Sequence, residues 1–269
     1  MGDLGHNLSC YVRMAMAQAR SQMQYRVNFF SHLIGIVLTY AGQFAALYWL
    51  TQRFTTVGGW RFEEIILLYA LAILAWGFAV SLFWSFISFE DQVRMGSFDR
   101  ALLRPINPML TVISTQSPIA GMGQFVFSLA AFTFAVKTTG IRLTALQLGY
   151  LVLTAAGGAM ILGAAMMTVA TMAFWTTRTY TFYWSLVYPA RQLINYPVSI
   201  YHRAIQFVLT VLVPFAFINY FPAHVLLGRV QELPLPLLAW ATPAVGVAAI
   251  GLAYGFWKFG TRRYTSTGS

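Results

Sequence analysis

The chain has 269 residues, with 17 Lys+Arg against 7 Asp+Glu and a formal net charge of +10 at pH 7; 58% of it is apolar and only 9% charged. Soluble domains carry about 25% charged residues, so a water-soluble molecule of this composition would expose large apolar patches and aggregate, and its wealth of aromatic and aliphatic side chains excludes disorder. The single cysteine, Cys10, excludes a disulfide scaffold or cysteine-based metal cluster, and the cations are spread between long apolar stretches rather than gathered into a nucleic-acid patch.

At the N-terminus, Leu8, Val12, Ala15, Ala19 and Met23 share one helical stripe, with Arg13, Arg20 and Gln24 beside it. The pattern predicts an amphipathic helix over residues 1–26, lying in the headgroup plane against membrane lipid; a soluble extension of the first span is the alternative. There is no short apolar core followed by a small-residue cleavage site, so a signal peptide is not expected.

A bilayer core of about 30 Å takes roughly 20 apolar helical residues to cross. Each charged side chain at its centre costs on the order of 2.5–3.5 kcal/mol, so charge-free runs mark the spans. Six such runs occur: Val27–Leu50, Ile65–Phe89, Met109–Val136, Leu143–Trp175, Ala204–Phe221 and Leu235–Trp257. None alternates with the period of two that a membrane barrel needs. Glu63 and Glu64, at the mouth of the second run, read as solvated end residues.

Residues 90–108 join the second and third spans. In them Asp99 suits the first turn of a short helix, Leu102 and Leu103 offer an apolar contact, and Arg104-Pro105 ends the helix, because a residue before proline avoids αR geometry. Without any resemblance, such a loop is either a handle for a cytoplasmic partner or a solvated connection. Residues 176–203 are too polar to read as a span and too aromatic to float free; Tyr180, Phe182, Tyr183, Trp184 and Tyr188, broken at Pro189 and Pro197, predict a cytoplasmic interfacial segment. The fifth run is short and carries Pro214, and residues 222–234 after it suit a re-entrant outer segment.

Six spans put both termini and the even-numbered loops on one side, which then holds twelve of the cations, Arg178, Arg191 and Arg203 among them, against five on the other. Positive charge marks the cytoplasmic side. The predicted fold is therefore an all-α integral membrane protein with six transmembrane helices and both termini cytoplasmic. No acid or base lies inside any run, which disfavours proton-coupled transport and intramembrane catalysis. There is no metalloprotease helix, nucleophile elbow or phosphate-binding Gly-Lys-Ser/Thr loop. The chain is expected to be no enzyme, to hold no cofactor or metal and to bind no nucleic acid. Gly251 with Gly255, and Gly157, Gly158 and Gly163, read as close packing within the bundle.

The stretch Gly96-Ser97-Phe98-Asp99-Arg100-Ala101-Leu102-Leu103-Arg104-Pro105-Ile106-Asn107-Pro108, together with Tyr196-Pro197 and Pro214–Ala223, resembles the signature of bacterial type-2 ABC permeases over nearly the whole chain. The resemblance implies a six-span permease subunit of an ATP-driven transporter in the bacterial inner membrane, leaning towards export. It implies a second permease subunit, identical or homologous, and separate ATPase subunits that hold ATP and Mg. It further implies that Met95, Gly96, Phe98, Asp99, Arg100, Leu103 and Arg104 form a coupling surface for the ATPase. The substrate path would run at the subunit interface, with Thr39, Gln43, Ser81, Ser85 and Ser88 as candidates, although the three serines share a face that also suits bonding to the preceding turn. A non-transporting membrane scaffold is the competing reading.

Overall fold

The computed structural model describes residues 26–53, 56–103, 107–114, 122–141, 143–176 and 178–265; the expected N-terminal helix and Arg104 lie outside them. Among the described residues the backbone is helical, apart from turns and one isolated antiparallel bridge between Val57 and Trp60. The principal helices are α1 (Arg26–Arg53), α2 (Phe62–Phe83), α3 (Phe89–Arg94), α4 (Ser97–Leu102), α5 (Pro108–Ile113), α6 (Met122–Thr139) and α7 (Ala145–Thr171). They are followed by α8 (Thr179–Phe182), α9 (Tyr188–Leu193), α10 (Arg203–Phe207), α11 (Ala216–Leu226) and α12 (Thr242–Arg263).

α2 is apolar on every side, and a helix of that kind is stable only when surrounded. It forms the axis of the molecule: Ile65, Ile66, Leu67, Leu68, Ala70 and Ala75 are wholly enclosed by α6, α7 and α11. With the turns that extend it, Phe62–Arg94 is long and apolar enough to cross a membrane, as is Ala145–Phe174. α7 reaches its neighbours through glycine. A Cβ on Gly158 would stand 2.9 Å from the Cβ of Ala75, and one on Gly246 would stand 2.6 Å from the Gly157 carbonyl oxygen. α7 and α12 therefore touch backbone to backbone, the close approach that small residues permit between membrane helices. Gly251 and Gly255 behave differently from the expectation: nothing lies within 4 Å of their Cβ positions, so they face outwards.

Two further segments depart from the sequence reading. Ala204–Phe221 is not one straight helix, because Arg203–Leu212 and Ala216–Leu226 meet at 99°. Pro214, at the break, has no N–H to continue the ladder. Both arms of this bent pair return to the Trp60 end of the bundle. Ile200, just before α10, packs on Gly58, while the Tyr220 and His224 rings of α11 meet Trp60 tilted and edge-on, at 5.7 and 5.0 Å.

Residues 179–193, for their part, form one helical rod. Pro189 cannot donate to Ser185, and a π-turn over Tyr183–Val187, in which the Tyr188 N–H donates to the Tyr183 carbonyl, absorbs the lost bond. At its start the Thr179 hydroxyl and the Tyr180 N–H donate to Glu90 Oε2 at 3.2 and 2.9 Å. Just past its end, Asn219 Nδ2 donates to Ile194 O at 2.6 Å and to Leu68 O at 3.1 Å. The rod thus lies beside α2 for most of that helix's length.

Candidate functional site

The 90–108 loop folds as two short helices held by one aromatic anchor. Gly96 joins α3 to α4 at φ +65°, a left-handed turn that glycine adopts without the steric cost other residues meet. Asp99 sits in the first turn of α4, where the helix dipole favours a carboxylate. Phe98 turns inwards and is fully buried against Phe89, Phe174, Trp257 and Tyr264, at ring separations of 5.1 to 6.0 Å. Asn107 caps α5 by accepting the Met109 N–H at 3.0 Å, Pro108 fills the first helical position, and Asn107 Nδ2 donates to Tyr254 of α12 at 3.3 Å. Pinned in this way, the loop presents Met95 and Leu103 outwards, 70% and 86% exposed, beside the exposed Arg94 and Arg100. Of the seven residues that the resemblance implies for coupling, Phe98 faces the bundle and Gly96 shapes the turn. Met95, Arg100 and Leu103 face out, Asp99 is half-buried, and Arg104 is outside the described residues.

The five candidate path residues do not converge. The hydroxyls of Thr39 and Ser81 donate to the carbonyls of Gly35 and Gly77, each at 2.8 Å, within their own helices. Ser88 reaches the Ser85 carbonyl at 3.5 Å, and the buried Ser85 hydroxyl makes no bond. Only Gln43 links two helices: its Oε1 accepts the Tyr69 hydroxyl at 2.7 Å.

That bond is the edge of a polar cluster absent from the sequence reading. Arg191, in α9, is 5% exposed, and its guanidinium lies over the Trp76 ring at 4.3 Å and the Tyr188 ring at 5.2 Å. Trp76 is midway along α2 between Arg61 and Glu90, so Arg191 sits at mid-height in the bundle. The hydroxyls of Tyr40, Tyr69 and Tyr183 lie within its electrostatic reach, and Tyr40 also contacts Gln124 and Trp76. The signal in the sequence was the aromatic spacing Tyr180, Trp184, Tyr188 running up to Arg191, one helical face with a cation at its end.

Glu64 also differs from its reading as a solvated end residue. It is 2% exposed, because Arg229 clamps both its oxygens, at 2.9 and 3.1 Å, beneath Trp60. Its Oε2 accepts the Arg61 N–H at 2.8 Å, so the same carboxylate caps α2. Among the described residues no three His, Cys, Asp or Glu converge as a metal site.

A sequence model described as an ABC-2 family transporter protein matches residues 37–268. The chain belongs to the ABC-2 transporter family. It is a transporter membrane component, and the match takes in both the pinned loop and the Arg191 cluster. No curated protein and no solved structure matches this ABC-2 chain.

Proposed function

We propose that this ABC-2 chain is the permease subunit of an ATP-driven exporter in the bacterial inner membrane, paired with an identical or homologous permease and driven by separate ATPase subunits that hold ATP and Mg. The observation that carries the reading is the split within the 90–108 loop: Phe98 is locked into the bundle while Met95 and Leu103 stand in solvent. Covering those two side chains with a partner's groove would contribute about 3 kcal/mol. A lever needs that combination, a rigid root and an unsatisfied apolar face. Glu90 supplies the linkage, since it leaves the same loop and caps the rod at 179–193.

The proposed topology has six spans, of which α1, α2, α6, α7 and α12 are five and the rod is the fifth in chain order. The bent pair at 203–226 becomes a re-entrant hairpin open to the outside, in place of the shorter stretch at 222–234. This arrangement keeps both termini inside. It leaves ten cations inside and six outside, with Arg191 between them.

The test is cysteine labelling at Gln43, in a Cys10→Ser background, with the ATPase present. Reactivity that changes on ATP addition is expected. Reactivity that stays constant with and without ATP would favour the scaffold reading.

A further inference from the structure

Arg191 is a charge without a counter-charge. Among the described residues no carboxylate lies within 4.0 Å of it, and its guanidinium makes no hydrogen bond; Nε is buried and unpaired. Its own rod, residues 179–193, carries no acid, and the carboxylate that meets it, Glu90 of α3, is engaged with Thr179 and Tyr180 at the far end, roughly 18 Å away at the helical rise. Guanidinium stacking on Trp76 and Tyr188 offsets part of the desolvation and leaves the forked donors unused. Around it stand other polar atoms without partners: the Tyr183 hydroxyl and Gln124 Oε1 are buried and unbonded. Buried polar groups in proteins are nearly always paired, so two buried donors left unused, Arg191 Nε and the Tyr183 hydroxyl, mark a place where something else supplies the acceptor.

We infer that Arg191, with the hydroxyls of Tyr40 and Tyr183, binds the oxyanion head of an amphipathic molecule, a phosphate or carboxylate, on the transport path. The inference rests on the permease reading and names the class of cargo it would carry. Guanidinium forks match the two oxygens of such a head, and tyrosine hydroxyls add directional donors that a greasy wall lacks. Access is through α1. Among its residues with described side chains only Ile36 and Tyr40 are buried, and it holds to α2 and α6 through one stripe, the rings of Tyr40, Phe44 and Tyr48 together with the Gln43–Tyr69 hydrogen bond. A helix attached along one stripe is the cheapest wall to move, and Tyr40 on it closes the cluster. An apolar tail would then lie between α1 and its neighbours, in contact with lipid.

The experiment is equilibrium binding of dodecyl phosphate to the purified full chain in phosphatidylcholine nanodiscs, with dodecanol as the uncharged control. Saturable binding is expected for the phosphate and not for the alcohol. Arg191→Gln should weaken it on the order of tenfold or more, the scale of one charge-assisted hydrogen bond. Arg191→Lys keeps the charge and loses the fork, so it should fall between the two and serves if the glutamine variant does not fold. Tyr183→Phe, which removes one oxygen, should weaken binding by a few-fold. Competition by phosphatidylglycerol in the disc would identify a lipid as the source of the head, and competition by inorganic phosphate a soluble anion. Equal binding by wild type and both Arg191 variants, or equal binding of phosphate and alcohol, overturns the inference. An ATPase that fails to co-purify with the wild-type chain would instead overturn the permease reading, and the binding result would stand apart from it.

Discussion

Phe98 and Met95 are three residues apart, and their opposite environments set the work of the loop between them. Phe98 closes an aromatic box drawn from α3, the end of α7 and α12, so truncation would leave a void that rigid helices cannot collapse to fill. Phe98→Ala is expected to cost about 3 kcal/mol, read as a lower thermal midpoint of the purified chain. Met95→Ala, at a side chain 70% exposed, is expected to change it by no more than about 0.5 kcal/mol. Equal losses at the two positions would mean that the loop is not rooted as described. Glu64 and Arg191 make a related contrast. One is a buried charge with a bidentate partner and an N-cap to hold; the other is a buried charge with only rings around it. Buried ions without partners are costly and persist where they serve a function.

At the scale of elements, the rod at 179–193 is the part proposed to communicate. Glu90 accepts two hydrogen bonds from its first turn, and Asn219 holds its far end to α2 and α11. A displacement of α3 would therefore travel along a helix that passes Arg191 and ends at the bent pair. Glu90→Ala removes the acceptor at the lower joint. ATP hydrolysis by the assembled transporter should continue, while the ATP-dependent change in labelling at Gln43 is lost; a change of normal size would show that the rod is not the link.

The rod was also the element least legible in the sequence. It has fifteen residues, a proline and an arginine, and by length and charge it reads as a loop. Span finding weighs each charge against bulk hydrocarbon, whereas Arg191 lies against Trp76 and Tyr188, which only tertiary structure brings to it. The apolar run at Ala204–Phe221 differs for the opposite reason: its composition suits one straight helix, and the 99° bend at Pro214 emerges only in the structure. What was legible followed from local chemistry. The uncharged runs of α2 and α7 became the two longest apolar helices, and Gly96, Asp99 and Asn107-Pro108 took the turn, first-turn and cap positions that their chemistry favours.

At the scale of the whole molecule, the two ends of the bundle differ. The Trp60 end is clamped by Glu64 and Arg229, and the Glu90 end carries the exposed lever. Sidedness is accessible to a membrane-impermeant maleimide on intact cells in the Cys10→Ser background. Cysteines at Ser199 and Arg229 should react from outside, and those at Arg94 and Arg178 only after permeabilisation. Protection of Ser199 in intact cells would return residues 176–203 to the cytoplasmic face and remove the fifth span proposed for the rod.

In the proposed transporter an external motor works this chain through Met95 and Leu103. The most direct measurement is co-purification of ATP-hydrolysing activity with the wild-type chain and with the Met95→Glu/Leu103→Glu double variant, in mild detergent. The activity should accompany the wild type and be lost from the double variant, whose charges would oppose burial in an apolar groove while leaving the Phe98 box intact. Equal recovery with both chains would contradict the account.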